Sequence, residues 1–298
     1  MKINRSLSSI GLALLIALAS SDFAQASPTF KVLSTFDYPG ASSTLAFKIN
    51  DAGAIACGAG FTTTGLYGVI RSRNGHFGPL VTAPNDTNMT TLLTGLNNFG
   101  SFCGNYGGGD DHAFVFIDGA FTEVNVPGSI YNYVWAINDA NDYCGEYYYD
   151  YESGTRTAGF LNVNGSLITV SIPGDNVTGT SVEGLNNLGQ AVGSYGQNDD
   201  TLFGFMRGAD GTLTFPISSG RSLTYLEGIN DAGWIVGFGR RGSGYEGLFF
   251  LTPDQPTSFR YPGAIATFFY GINNNGQISG GYYKRDGVRH GFIAQVKP

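Results

Sequence analysis

The sequence predicts an all-β fold, a six-bladed β-propeller of four-stranded blades. Three observations support this prediction: one motif recurs six times, the copies follow one another at intervals of 41 to 48 residues, and the two ends of the chain complement each other. A repeat of this length that holds four short strands is typical of propeller blades. The 45 glycines, 17 tyrosines and 22 phenylalanines among 298 residues fit many short strands joined by tight turns.

The repeated motif is Ile or Leu followed by Asn and a turn rich in Asn, Asp and Gly. Its six leading residues are Ile49, Leu96, Ile137, Leu185, Ile229 and Ile272. Asn and Asp side chains close local turns, and Gly readily adopts positive φ. We expect four strands in each unit: strand a ends at the motif, strand b precedes the next Gly, strand c follows a small residue, and strand d ends at a proline, which cannot extend a central strand.

The chain ends predict how the ring closes. The last unit stops after a strand c at residues 290–296 and has no strand d, whereas an additional strand at Phe30–Tyr38 precedes the first unit. The sequence FDYPGA at 36–41 matches FRYPGA at 259–264, which ends a strand d. The N-terminal strand is therefore expected to complete the last blade, which leaves few unpaired strand edges.

The first 26 residues have the pattern of a secretory signal peptide. Lys2 and Arg5 precede an apolar run at Ile10–Ala19, and Ala24-Gln25-Ala26 offers a cleavage site. The apolar run is too short to span a membrane. We therefore predict a signal peptide at 1–26, a single propeller domain at 27–298, and an exported protein that is extracellular or periplasmic and has no membrane partner.

Composition and motifs exclude several function classes. Removing residues 1–26 leaves 14 basic and 22 acidic residues, and the absence of a basic stripe argues against a nucleic acid partner. No phosphate-binding glycine loop, HExxH zinc motif or GxSxG nucleophile motif occurs, so no cofactor is expected. The three histidines, at 76, 112 and 290, are scattered, so no metal site is expected either. The sequence leaves the oligomeric state open.

The three cysteines, Cys57, Cys103 and Cys144, cannot all pair with one another. Cys103 and Cys144 occupy one repeat position, at which later units carry Val or Ser, so each is expected to be a small buried apolar side chain. A disulfide between them, joining neighbouring blades of an exported protein, is the alternative.

Two copies of strand c begin with a histidine signature, His112-Ala113-Phe114 and His290-Gly291-Phe292. Together with the recurring Ile-Asn-x-x-Gly turn, this signature resembles the bacterial extracellular HAF-repeat family over essentially all of residues 27–298. The resemblance implies export and a propeller-like fold, and it implies no activity for any residue. Four units depart from the signature and carry Tyr67, Ala158, Phe203 and Glu246 in place of the histidine.

The long b–c and d–a connections are expected on one face, where tyrosines and carboxylates gather. Aromatic rings beside hydrogen-bonding groups suit a sugar, which has both an apolar face and hydroxyls. The candidate ligand-binding residues on this face are Tyr147, Tyr149, Tyr195 and Tyr282. Three of them share one repeat position with Tyr106, so a structural role is the alternative reading.

Strand a is expected to border the central channel. Two residues before the motif the units carry Phe47, Thr94, Trp135, Glu183, Glu227 and Tyr270, and Lys48 stands next to the motif where the other units have Gly or Ala. Paired carboxylates divide acid and base roles in glycosidases, which makes Glu183, Glu227 and Tyr270 candidate catalytic residues. Lys48 and Trp135 are further ligand-binding candidates. The alternative is an ion-paired channel in which Lys48 balances the glutamates.

These observations favour an exported propeller that binds an extracellular ligand, a carbohydrate, on its long-loop face. A polysaccharide-cleaving enzyme, either a hydrolase or a lyase acting at the channel mouth, is the first alternative. A surface or matrix scaffold that binds another protein is the second.

Overall fold

A computed structural model describes residues 27–107, 111–151, 154–198, 200–220 and 223–298. The predicted signal peptide at 1–26 lies outside these residues. Within them the chain forms 23 strands and no helix, and the fold is an all-β propeller, as the sequence predicts. The described part of the chain therefore also contains no helix able to cross a membrane.

The strands follow one another in short hairpins. In chain order they are β1 (Thr29–Phe36), β2 (Ser43–Ile49), β3 (Ile55–Phe61), β4 (Gly65–Arg71), β5 (Leu92–Leu96), β6 (Phe102–Tyr106), β7 (His112–Ile117), β8 (Ala120–Val124), β9 (Tyr131–Ile137), β10 (Tyr143–Tyr151), β11 (Gly154–Val163), β12 (Ser166–Val170), β13 (Val177–Leu185), β14 (Ala191–Gln197), β15 (Leu202–Arg207), β16 (Leu213–Ile217), β17 (Thr224–Ile229), β18 (Ile235–Arg241), β19 (Gly244–Phe250), β20 (Pro256–Phe259), β21 (Ala266–Ile272), β22 (Gln277–Tyr283) and β23 (Arg289–Lys297).

The described strands pair into five sheets. Strands β5–β8 and β17–β20 form four-stranded sheets, and β1 joins β21–β23 in a third. Strands β9–β12 and β13–β16 are connected into one large sheet by a parallel pairing of Thr157 with Gly179. Strands β2–β4 form the fifth sheet, and the segment that follows adds isolated bridges of Phe77 with Arg71, of Val81 with Gly68 and of Thr90 with Leu66.

The sequence markers fall where the strand prediction places them. Strands β2, β5, β9, β13, β17 and β21 each end at the Ile or Leu of the repeated motif. Several b and c strands extend further than their apolar cores predict: β14 reaches Gln197, and β11 begins at Gly154. The difference arises because the long b–c hairpins continue the antiparallel ladder outward through polar residues.

The N-terminal strand closes the last sheet, as predicted. Strand β1 pairs antiparallel with β23, from Thr29 opposite Lys297 to Phe36 opposite Gly291. A Cβ at Gly291 would lie 2.5 Å from the Phe36 ring, so Gly is needed there for the two strands to pack. This requirement explains why the second histidine signature reads His-Gly-Phe rather than His-Ala-Phe.

The histidine of the signature stacks on the tyrosine of the neighbouring strand b. His112 lies on Tyr106 with ring centroids 5.0 Å apart, and its Nδ1 is 2.5 Å from Glu123 Oε1 on β8. His290 lies on Tyr282 at the same separation, and its Nδ1 is 2.9 Å from Asp37, just after β1. In both units the histidine thus connects strand b to the carboxylate of strand d.

The small residue that opens strand c allows neighbouring sheets to approach. A Cβ at Gly204 would lie 2.4 Å from Leu226, and one at Gly247 would lie 2.9 Å from Phe269. Leu226 and Phe269 belong to the innermost strand of the next unit and are fully buried. The repeated glycine therefore makes room for a large apolar side chain between sheets, where the core lies.

All three cysteines are buried and free. Burial raises the pKa of the Cys57 and Cys103 thiols to about 12, and it raises the pKa of Cys144 as well. The structure therefore contains the buried apolar thiols predicted from the repeat position, and it does not contain the alternative disulfide between Cys103 and Cys144.

Candidate functional site at the central channel

The narrow end of the channel is lined by a cycle of asparagines. Each Asn of the repeated motif donates a hydrogen bond from Nδ2 to the backbone carbonyl oxygen of the next motif Asn, over 2.9–3.2 Å. The cycle runs through Asn50, Asn97, Asn138, Asn186, Asn230 and Asn273 and returns to Asn50. Each Oδ1 meanwhile accepts backbone N–H groups of its own turn, as Asn230 does from Trp234 at 3.0 Å. The Asn side chain therefore fills both roles at once: its Nδ2 donates to the next unit and its Oδ1 accepts from its own turn.

A second cycle lies one residue further along, and it alternates carboxylates with amides. Its members are Asp51, Asn98, Asp139, Asn187, Asp231 and Asn274, and each backbone N–H donates to the next side chain's Oδ1 at 2.8–2.9 Å. The Asn98 amide donates to both flanking carboxylates, at 3.1 Å to Asp51 and 2.9 Å to Asp139. In the described residues no group of three or more His, Cys, Asp or Glu is arranged to hold a metal ion.

Lys48 occupies the channel next to the Ile and Leu side chains of the motif. Its Nζ donates to the backbone oxygens of Glu227, at 2.6 Å, and Tyr270, at 2.8 Å, and lies 3.7 Å from Glu227 Oε2. The lysine is only 9% exposed. Its ammonium group thus links β2 to β17 and β21. The two backbone oxygens lie closer to Nζ than the Glu227 carboxylate does, so they are its main hydrogen-bond acceptors.

Three glutamates influence one another's charge in the channel: Glu183 on the inner strand β13, Glu227 on the inner strand β17, and Glu146 on β10, a strand b. Burial, followed by repulsion from Glu183, raises the pKa of both Glu146 and Glu227 to about 8. Burial also raises the pKa of Glu183, against the opposing effects of Ser181, whose hydroxyl donates to its Oε1 at 2.6 Å, and of Lys48. Glu146 and Glu227 therefore retain protons at neutral pH.

Aromatic rings surround the glutamates. Trp135 stacks on Tyr133 with ring centroids 5.6 Å apart. The indole N–H of Trp135 is buried and makes no direct hydrogen bond, but the indole lies near Glu146 and opposes the rise in the Glu146 pKa. On the opposite side Tyr270 packs against Phe47 at 5.3 Å and against Phe268 at 6.0 Å. Stacked rings beside protonated carboxyls present both apolar surface and hydrogen-bonding groups to the channel.

The structure brings one set of the predicted residues together and leaves the other apart. Lys48, Trp135, Glu183, Glu227 and Tyr270 belong to a single polar and aromatic group in the channel, described above. The pairing of Lys48 with Glu227 also agrees with the alternative of a balanced ion network.

The predicted loop tyrosines have different surroundings. Tyr195 and Tyr282 are 3% and 4% exposed and belong to apolar clusters of the core. Tyr147 and Tyr149 are half-buried on β10, with ring centroids 5.8 Å apart. The burial of Tyr195 and Tyr282 favours the structural reading of their shared repeat position.

Sequence reasoning missed two members of the channel group, Glu146 and Arg289. Glu146 follows the strand-b glycine, at a position where the other units carry Ala59, Asn105, Ser194, Phe238 and Gly281. Arg289 opens β23, where the others carry Leu66, Asp111, Thr157, Leu202 and Tyr245. Both positions vary among the units in size and charge, and this variation was the available signal.

The chain was compared with known proteins. No family model matches it, and no curated protein matches its sequence. Among solved structures it is similar to the fucose-recognising lectin of Aleuria aurantia, a six-bladed β-propeller, with a TM-score of 0.51 and 11% identity over 86% of this chain and 94% of the lectin. It is also similar to Trypanosoma rangeli sialidase, with a TM-score of 0.53 and 8% identity over 91% of this chain and 59% of the sialidase. At these identities the likeness supports the propeller fold alone.

Proposed function

We propose that this protein is an exported six-bladed propeller that binds a carbohydrate at the mouth of its central channel, on the long-loop face. The six-membered asparagine cycle and the six repeats support the blade count, as does the similarity to a six-bladed lectin. The pattern of residues 1–26 supports export, and the histidine signatures support membership of the HAF-repeat family.

The observation that carries the proposed activity is the group of stacked rings and protonated carboxyls in one channel. Trp135 and Tyr133 offer flat apolar surface, while Glu146, Glu183 and Glu227 act as hydrogen-bond donors as well as acceptors when protonated. Sugar recognition combines such packing with directed hydrogen bonds. A lectin and a sialidase among the similar structures add support.

A glycan array screened with the chain 27–298 tests the proposal. We expect binding to at least one glycan class, and we expect Trp135→Phe, which keeps an aromatic ring but removes the indole N–H, to weaken it by roughly tenfold. Phe99→Ala is the matched control, because Phe99 is 79% exposed in the motif turns at the narrow end. Binding that responds equally to both variants, or no binding at all, would contradict the proposed site.

A second candidate function is polysaccharide cleavage, with Glu183 and Glu227 as the catalytic pair. It is favoured by the mutual electrostatic interaction of these buried carboxyls, since such perturbed pairs mark many acid–base sites. A reducing-end release assay on each glycan bound in the array tests it. If the pair is catalytic, Glu183→Gln and Glu227→Gln should each lower turnover by ~10²–10⁴-fold while binding persists. Full activity in both variants would exclude this pair.

A further inference from the structure

Arg289 is a charged side chain whose surroundings leave it unsatisfied. It is half-buried at the start of β23, and its Nε and Nη2 atoms are buried without a hydrogen-bond partner. The described residues form no ion pair with it. A buried donor without an acceptor is costly, and more so when it carries charge, so such a group calls for an explanation.

Aromatic rings surround the guanidinium group. Its Cζ lies 5.0 Å from the ring centroid of Tyr270, 5.9 Å from that of Phe47, and 6.0 Å from those of Phe268 and Tyr283. These rings hold the cation through their faces but accept no hydrogen bond from its edge. The rings therefore orient the arginine and leave its donors free.

At the equivalent position of another unit the charged residue, Asp111, has a hydrogen-bond partner. Asp111 immediately precedes β7, at the repeat position that Arg289 occupies, and it accepts a hydrogen bond from the Tyr133 hydroxyl on the next inner strand. Across from Arg289 the next inner strand is β2, which presents Phe47. The fold thus supplies a partner for Asp111 and none for the free edge of Arg289.

The two free nitrogens are neighbours on one edge of the guanidinium. Such an edge matches the two oxygens of a carboxylate, to which it donates two parallel hydrogen bonds.

We propose that Arg289 binds the carboxylate of an acidic sugar at the channel mouth, through its Nε and Nη2. This inference rests on the proposed carbohydrate binding and names the class of sugar. In the proposed complex Trp135, Glu146 and Glu227 contact the rest of the sugar.

The test compares two oligosaccharides whose carboxyl groups are charged in one and methyl-esterified, and therefore neutral, in the other. Isothermal titration of the chain 27–298 with a galacturonate oligomer should give a dissociation constant roughly tenfold or more below that for the same oligomer with methyl-esterified carboxyls. Arg289→Gln should bring the two constants to within about twofold of each other, and Arg289→Lys should recover part of the difference. Arg285→Gln, at an exposed arginine four residues away, is the control.

A second variant guards against misfolding of the arginine substitutions. A Cβ at Gly281 would lie 3.1 Å from Arg289 Nε, so Gly281→Ala should displace the guanidinium edge and weaken binding of the acidic oligomer while the melting temperature stays within a few degrees. Equal binding of the two oligomers, tighter binding of a sulfated oligomer, or an unchanged preference in Arg289→Gln would each overturn the inference. Neutral glycans bound in the array would then still support the proposed function, whereas a chain that binds no glycan overturns both.

Discussion

At the scale of single residues, burial sets the chemistry of the channel. Glu146 and Glu227 have pKa values of about 8 because the channel removes them from water and places Glu183 nearby. The Lys48 ammonium opposes this rise for Glu227, but it lies closer to two backbone oxygens than to the carboxylate. The same desolvation keeps the three cysteines as thiols.

The raised pKa values predict that stability falls as pH rises. Between about pH 4.5 and 8 the native state holds protons on Glu146 and Glu227 that the unfolded chain releases, so the free energy of unfolding decreases across this range. The decrease should be on the order of 5 kcal/mol per carboxyl, which is the free energy that separates pKa values of 4.5 and about 8, and it should level off above about pH 8. Urea unfolding at pH 5, 7 and 9 measures it.

Glu146→Gln should reduce this pH dependence, because it removes one of the titrating groups. Asp175→Asn, at an exposed carboxylate, should leave the dependence as in the native protein. Equal stability at pH 5 and 9 in the unmodified chain would contradict the raised pKa values.

The buried thiols predict a difference in reactivity between native and unfolded protein. Titration with a thiol reagent in denaturant, without reductant, should find three free thiols, whereas the native protein should react only as fast as it unfolds. The reason is that all three sulfurs are fully buried and protonated. A count of one in the unfolded chain would instead show that two of the cysteines form a disulfide.

At the scale of elements, the repeated turn holds the inner strands together. Its Asn caps the turn through Oδ1 and reaches the next unit through Nδ2, so one residue serves both the local and the long-range structure. The alternating Asp and Asn of the second cycle add hydrogen bonds nearer to solvent. Stability at this end of the channel therefore depends more on the first cycle than on the second.

Asn230→Ala tests this difference. It removes one of the two hydrogen bonds that the Asn273 carbonyl accepts and leaves the backbone N–H groups of Ala232 and Trp234 without partners, so we expect a loss of about 3 kcal/mol in the free energy of unfolding. Asp231→Asn, in the more exposed cycle, should cost less than about 1 kcal/mol. Chemical denaturation of the two variants side by side measures the contrast, and equal losses would argue against the dominance of the first cycle.

At the scale of the whole molecule, closure depends on joining the two ends of the chain. Strand β1 covers the edge of β23 from Gly291 to Lys297. Phe30 packs on Phe249 and Phe259 of the preceding unit and on Phe269 of its own sheet. These contacts therefore join strands that lie at opposite ends of the described sequence, and each strand stabilises the other.

Deleting Thr29 to Tyr38 should expose the β23 edge and remove these aromatic contacts. We expect loss of cooperative thermal unfolding, or aggregation, because an unpaired apolar edge recruits other strands. A synthetic peptide of residues 27–41, added in trans, should restore cooperative unfolding by pairing with that edge. If the shortened chain melts like the full one, β1 does not close the ring in solution.

Much of the fold could be predicted from the sequence because its determinants are local. Three local patterns predicted it: the Ile-Asn turn, the small residue before strand c, and the matching FDYPGA and FRYPGA segments. Each consists of a few consecutive residues that themselves make the hydrogen bonds or close contacts of the fold. The same periodicity placed Glu183, Glu227 and Lys48 at one level of the channel.

Only the tertiary structure decided which other residues reach that level and what their environment does to them. Glu146 lies on strand b and Arg289 on strand c, at positions that vary among the units but carry no repeated residue that marks the channel. The tertiary structure also shows that Tyr195 and Tyr282, which were expected on the ligand-binding face, are buried in the core. A pattern within one strand reports the two faces of that strand, whereas burial, charge coupling and a missing hydrogen-bond partner depend on neighbouring sheets that meet only when the ring has closed.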